Sequence, residues 1–313
     1  MRRYAAHAEV LTDDRMTLEF SGPRELRGRG IGENGAALRA LLGPGDGPPV
    51  IRQARAAATA DDWQRRARMM VARDAHTVAY EDYLQALRLD ARNREALEGF
   101  VRAAVLTRRG HDALGWLKTL AEGDPSPEIL VATSKLLASI GARADALEAA
   151  KRASNAPGDN SIGLEQLASL HADNGDVTEL EQTVRAMQAV MPSRAATAYY
   201  AAVAAFLRGR AEDALRLAEE ATVRDRTYAA VYDLTGAAYA RLGRRENARQ
   251  AFLTSLQFDA HDSTAYANLG VLALGGGDAA AAADYFAEAL WLDENSALAR
   301  DGLARALRGS RVQ

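Results

Sequence analysis

The run GIGENG, residues 30–35, spaces Gly30, Gly32 and Gly35 as a dinucleotide-binding turn does. Such a turn holds a pyrophosphate on backbone N–H groups at a helix N-terminus. It needs a strand ending just before it and an acidic residue about 20 residues later. Here the strand candidate MTLEF, residues 16–20, ends too early, and the acid on offer, Asp46, sits in the loop GPGDGPP. The histidines are His7, His76, His111, His171 and His261, and no two have a metal-ligand spacing such as H-E-x-x-H. They read as exposed or capping residues. The carboxylate pairs Asp61-Asp62 and Glu219-Glu220 are adjacent on helical stretches, so their side chains diverge. No cysteine is present, which excludes thiolate zinc sites, disulfides and cysteine nucleophiles. G-x-S-x-G and phosphate-loop motifs are missing as well. These residues predict no catalytic site, no cofactor and no metal.

Composition points to what must position the rest. The 313 residues are 48% hydrophobic, with alanine far ahead of the β-branched and aromatic types. Alanine is the best helix former and a poor strand former, so an all-α chain is expected. The net charge of −3 gives no electrostatic case for nucleic acid as a partner. The most basic stretch, Arg52–Arg73, reads as a solvated helix face. No apolar run is long enough to span a bilayer, and the N-terminus lacks the apolar stretch of a secretory signal. The expectation is a cytoplasmic chain without membrane insertion.

A period runs through the chain. Gly141, Gly175, Gly209, Gly243 and Gly277 are each 34 residues apart. Ala146, Leu180, Ala214, Ala248 and Ala282 follow the same beat, and so do Ala153, Met187, Ala221, Ser255 and Ala289. The units are 127–160, 161–194, 195–228, 229–262 and 263–296, preceded by 60–93 and by 94–126, which is one residue short. Within 263–296, Tyr266, Leu269, Gly270 and Ala273 share one helical face, and Ala282, Phe286, Ala289 and Leu290 share another. Each unit therefore reads as two helices joined at a glycine that suits a left-handed C-terminus. Asn93, Ser126, Asn160 and Ser193 are candidate N-caps, and Pro125, Pro157 and Pro192 fall in the turns between units. In unit 60–93, Arg66 stands where later units have Leu167 or Leu269.

The pattern Tyr232, Gly236, Tyr239, Ala248, Phe252, and again Tyr266, Leu269, Gly270, Ala282, Phe286, Ala289, resembles the tetratricopeptide repeat. The resemblance covers residues 60–296. It implies a right-handed superhelical solenoid of about seven helix-turn-helix repeats. ALARDGLARALRG, residues 297–309, would be its capping helix, followed by a short tail to residue 313. Residues 1–59 lie outside the beat. There MTLEF reads as a strand, GENGAALRALL as the start of a helix, GPGDGPP as a linker, and Val50 onward as a helix leading into the repeats. Thr12, Asp13, Asp14, Arg15, Glu19, Phe20, Pro23 and Arg24 resemble the C-terminal end of spermidine-synthase-like proteins. Nothing matches that family's nucleotide loop or acidic catalytic residues, so no catalytic role follows.

The tetratricopeptide resemblance implies a non-catalytic scaffold that binds a protein or peptide segment in a groove lined by the first helix of each unit. The groove places include Arg68, Arg102 and Lys135 early in the array, and Tyr199, Val203, Phe206 and Val271 later. A groove basic at one end and apolar at the other would hold a segment with acidic residues followed by apolar anchors, with Tyr199 and Phe206 as its main contacts. The other reading is an accessory, regulatory part of a spermidine-synthase-like enzyme whose catalytic domain lies elsewhere. Oligomeric state does not follow from the residues.

Overall fold

The computed structural model describes residues 59–309, and before them three short strands. The strands β1 (Ala6–Val10), β2 (Met16–Phe20) and β3 (Leu26–Gly28) form an antiparallel sheet in the order β1-β2-β3. His7 stands opposite Glu19, and Glu19 opposite Arg27. The glycine run 30–35, the helix expected at 32–42, the linker 43–49 and the lead-in helix from Val50 all lie outside the described residues.

From Ala60 the chain is helical. A first unit, residues 1–90, contains the sheet and the hairpin α1 (Ala60–Val71) with α2 (His76–Leu89). A second unit, residues 91–313, contains α3 (Arg94–Leu106), α4 (Gly110–Gly123), α5 (Pro127–Ser139), α6 (Arg143–Ser154), α7 (Ser161–Asn174) and α8 (Val177–Val190). It continues with α9 (Ala195–Leu207), α10 (Ala211–Arg224), α11 (Ala229–Arg241), α12 (Arg245–Phe258), α13 (Ser263–Gly276), α14 (Ala279–Leu292) and α15 (Ala297–Gly309).

The beat of the sequence is a beat of backbone geometry. Gly141, Gly175, Gly209, Gly243 and Gly277 all have positive φ, between 73° and 87°. Two earlier hairpins make the same left-handed turn without glycine, at Asp74 (φ 56°) and Arg108 (φ 59°). A side chain is strained there. Arg108→Gly is therefore expected to stabilise the chain by about 0.5–1 kcal/mol in chemical denaturation.

Small residues allow the two helices of each hairpin to approach. Ala146, Ala214, Ala248 and Ala282 are fully buried, and so are Ala153, Ala221, Ser255 and Ala289. Leu180 and Met187 take the same places in α8, also without exposure. Ala248→Leu is expected to overpack its crossing at a cost of about 1–3 kcal/mol, read from the denaturation midpoint. Where a ring is available, glycine makes room for it. A Cβ on Gly236 would lie 2.6 Å from the Phe252 ring, and one on Gly270 would lie 2.8 Å from Phe286.

Of the four expected caps, Asn93 alone bonds as a cap, and others arise elsewhere. Asn93 accepts from the Ala96 N–H at 2.9 Å, as expected. Ser126 makes no capping bond. The Asn160 amide instead donates to the Ser154 carbonyl at 2.7 Å, while Asp159 accepts from the Ser161 N–H. Ser193 falls one residue before the N-cap position of α9, which Arg194 occupies. Further caps come from Asp262 and Asp278, and Thr59 forms a capping box with Asp62. Arg66 finds a partner in its own hairpin: its Nε lies 3.0 Å from the buried Asp82 carboxylate, and its guanidinium sits over Trp63.

Within the second unit, each first helix packs on the next first helix, α3 on α5, α5 on α7 and so on to α15. The second helices pack chiefly on first helices. The row of first helices is therefore the shorter, inner row, and its exposed side forms an inner face. Helix α15 closes the row against α13 and α14, and a Cβ on its Gly302 would lie 2.3 Å from the Phe286 ring.

Candidate functional site

The inner face repeats two positions of the unit. The fifth residues of the first helices are Glu98, Val131, Glu165, Tyr199, Asp233 and Ala267. The ninth are Arg102, Lys135, Ser169, Val203, Ala237 and Val271. Residues one helical turn apart share a face, so both series look the same way.

The basic residues expected here have distinct settings. Arg68 is exposed on α1, in the first unit. Arg102 is exposed on α3. Lys135 is half-buried, and its Nζ lies 3.2 Å from Glu98 Oε1. Burial pushes the Glu98 carboxyl up, but Lys135 and Arg94 outweigh it and leave Glu98 below the usual range. The charge of Lys135 is thus answered inside the chain.

The expected apolar end is not simply apolar. Tyr199 and Phe206 are half-buried and pack against the cluster of Ala198, Ala202, Ala218, Ala221, Val231 and Leu234, which reaches into the following repeat. Tyr199 meets Tyr228 edge-on at 5.2 Å and Tyr200 at 5.0 Å. The Phe206 ring is covered by the Arg241 guanidinium at 3.8 Å, and Arg241 also donates to the Phe206 carbonyl. Tyr199 and Phe206 therefore take part in repeat-to-repeat packing. Val203 is half-buried, whereas Val271 and Leu207 are exposed.

Two carboxyl groups stand beside this aromatic cluster. Asp173, at the end of α7, is exposed, yet the walls around it desolvate its carboxyl and raise it, against the pull of Arg143. Asp233, on α11, is largely buried. Burial first, then a hydrogen bond and the charge of Asp262, with Asp259 adding to them, push it up to about 9. Asp262 itself caps α13 through the Thr264 and Ala265 N–H groups. Burial raises all three phenols, Tyr200 to about 12, and carboxylates act on them: Glu165, Asp173, Asp225, Asp233 and Asp262. Glu165 is answered by Arg194 at 3.0 Å. The middle of the inner face thus sets an aromatic cluster among carboxyl groups. The sequence reading missed Asp173 and Asp233, although Asp233 stands one repeat after Tyr199.

No catalytic constellation forms among the described residues, and no group of His, Asp and Glu there could hold a metal ion. His171, expected to be exposed or capping, is buried at the eleventh place of its unit, where Tyr239 stands in a later one, with Nδ1 3.7 Å from Asp176. Asp62 and Glu220 serve as a cap and an ion-pair partner. No described helix is long and apolar enough to cross a membrane.

A row of helix-turn-helix units, stacked so that the first helices line one face, defines an α-solenoid. No family model matches the sequence. Solved structures are similar in fold. One is a tetratricopeptide repeat protein from Parabacteroides merdae, with a TM-score of 0.60 and 15% identity over 79% of this chain and 98% of that one. A chain of the APC/C hetero-tetramer Cut9–Hcn1 gives 0.55 and 14%, over 80% of this chain and 53% of that one. A thermophilic tetratricopeptide-repeat protein of Thermus thermophilus gives 0.52 and 21%, over 58% of this chain and 99% of that one. The solenoid is a tetratricopeptide-repeat fold. None of these likenesses is to a spermidine-synthase-like protein.

Proposed function

We propose that the chain is a non-catalytic scaffold that holds a segment of another protein along the inner face of its repeats. The observation that carries this is the exposure of large apolar side chains on that face. Val105 and Leu106 on α3, Leu207 on α9 and Val271 on α13 are each more than a third exposed. They share the face with Arg102 and Asp173. Apolar residues flanked by charges on a shared face suit an extended or helical segment better than a small molecule. A similar fold occurs in the Cut9–Hcn1 hetero-tetramer, a protein assembly. The basic end of the groove, in this proposal, is Arg102, with Lys135 held back by Glu98.

Affinity capture with wild type and with Leu207→Asp plus Val271→Asp tests the proposal. Both residues are exposed, so the double variant is expected to keep its fold. Co-purifying proteins should be lost with the double variant and retained with Val223→Asp, at the end of α10. Equal recovery with all three chains would contradict it.

A further inference from the structure

We infer that the segment held at the middle of the inner face presents a lysine or arginine side chain to the Tyr199–Tyr200–Tyr228 cluster, beside Asp173 and Asp233. This rests on the inner face being the binding surface, and it names the chemistry of the occupant there. Three features of the geometry lead to it. The rings form a connected edge-to-face cluster, with centroids 5.0 and 5.2 Å apart, that is mostly buried but keeps some exposed surface. A cation is attracted to such ring faces, the more so when water is partly excluded. Carboxylates from the surrounding helices and turns, Asp173, Asp233 and Asp262 among them, act on these rings. Asp173 is exposed, with Arg143 the one cation acting on it.

Charge complementarity therefore selects a cation over an anion at this point. A carboxylate placed here would face Asp173 and Asp262, with Arg143 alone to offset them. An ammonium or guanidinium would be met by both ring and carboxylate. Burial and Asp262 hold the Asp233 carboxyl in its neutral form, and an arriving cation favours the ionised one. The same residue thus weakens the empty fold and strengthens the occupied one. The sequence reading expected acidic residues followed by apolar anchors. In this proposal an anion-attracting place stays at Arg102, which is exposed, and a cation-attracting one lies in the middle.

The test is selection of short peptides from a random display library on the immobilised full chain, followed by polarisation measurements on labelled winners. Winners should share a lysine or arginine, and their affinity should fall with added salt. Asp173→Lys should weaken them about tenfold or more. Asp233→Asn should weaken them several-fold while leaving the chain folded and more stable, a combination that loss of structure would not produce. Winners rich in Asp and Glu, or winners indifferent to Asp173→Lys but abolished by Leu207→Asp, would overturn the cationic inference and leave the inner face as the binding surface. Winners indifferent to every inner-face substitution, or no winners, would overturn both.

Discussion

Phe286→Ala is expected to cost about 3–5 kcal/mol, the range for truncating a fully buried aromatic residue. Its ring has no exposed surface and fills the space between three elements. Gly270 of α13 and Gly302 of α15 lie against it so closely that neither has room for a Cβ. A cavity left there cannot be refilled by small shifts, because both flanking positions are already glycine. Each repeat leans mainly on its neighbours, so the loss should be local. Hydrogen exchange should speed up from α13 to α15 and remain unchanged in α5 to α8. A loss below about 1 kcal/mol would mean that Phe286 does not key the closing helix to the last hairpin.

The second large effect has the opposite sign. Asp233→Asn is expected to stabilise the chain by on the order of 2–3 kcal/mol near pH 7, after allowance for the residue's partial exposure. The carboxyl is raised to about 9 by burial and by Asp262, with Asp259 and the Tyr199 ring also facing it. A raised carboxyl means that the folded chain binds a proton which the unfolded chain releases above about pH 4. Stability contributed by that proton is complete below pH 4 and declines as pH rises toward 9. Wild type and Asp233→Asn should therefore have similar midpoints at pH 4 and diverge up to pH 9. Parallel curves would show that Asp233 is not held neutral.

The repeats were legible because a solenoid writes its geometry into a fixed period. Gly141 through Gly277 mark left-handed turns, and Ala146 through Ala282 mark helix crossings, so position in the unit predicts both φ and burial. The same rule hides exceptions. Asp74 and Arg108 take the left-handed turn without being glycine, and spacing shows this only once the glycine series is extended backwards. Arg66, out of place among leucines, becomes intelligible only through Asp82 on the facing helix. A second beat, Asp225, Asp259 and Asp293, went unread. Each of these carboxylates accepts a backbone N–H two residues on and shapes the turn between units.

The chemistry of the proposed site was not legible in the sequence. Residue counting put Tyr199, Val203, Phe206 and Val271 on the shared face. It could not show that Arg241 covers Phe206 or that Tyr228 meets Tyr199, because those contacts depend on how far each repeat turns relative to the last. Asp173 and Asp233 escaped for the same reason. They lie on helices either side of α9 and become neighbours of one aromatic cluster only when the row is assembled.

The most direct test of the inner face uses the absence of cysteine from the chain. A single cysteine at Leu207 or at Val223, which is 79% exposed at the end of α10, can carry a photocrosslinker without a competing thiol. After irradiation in extract of the source cells, crosslinked peptides are identified by mass spectrometry. The scaffold account predicts a segment of another protein attached at position 207 and none at position 223. Crosslinks to foreign protein at 223 alone, with only self-crosslinks at 207, would contradict it.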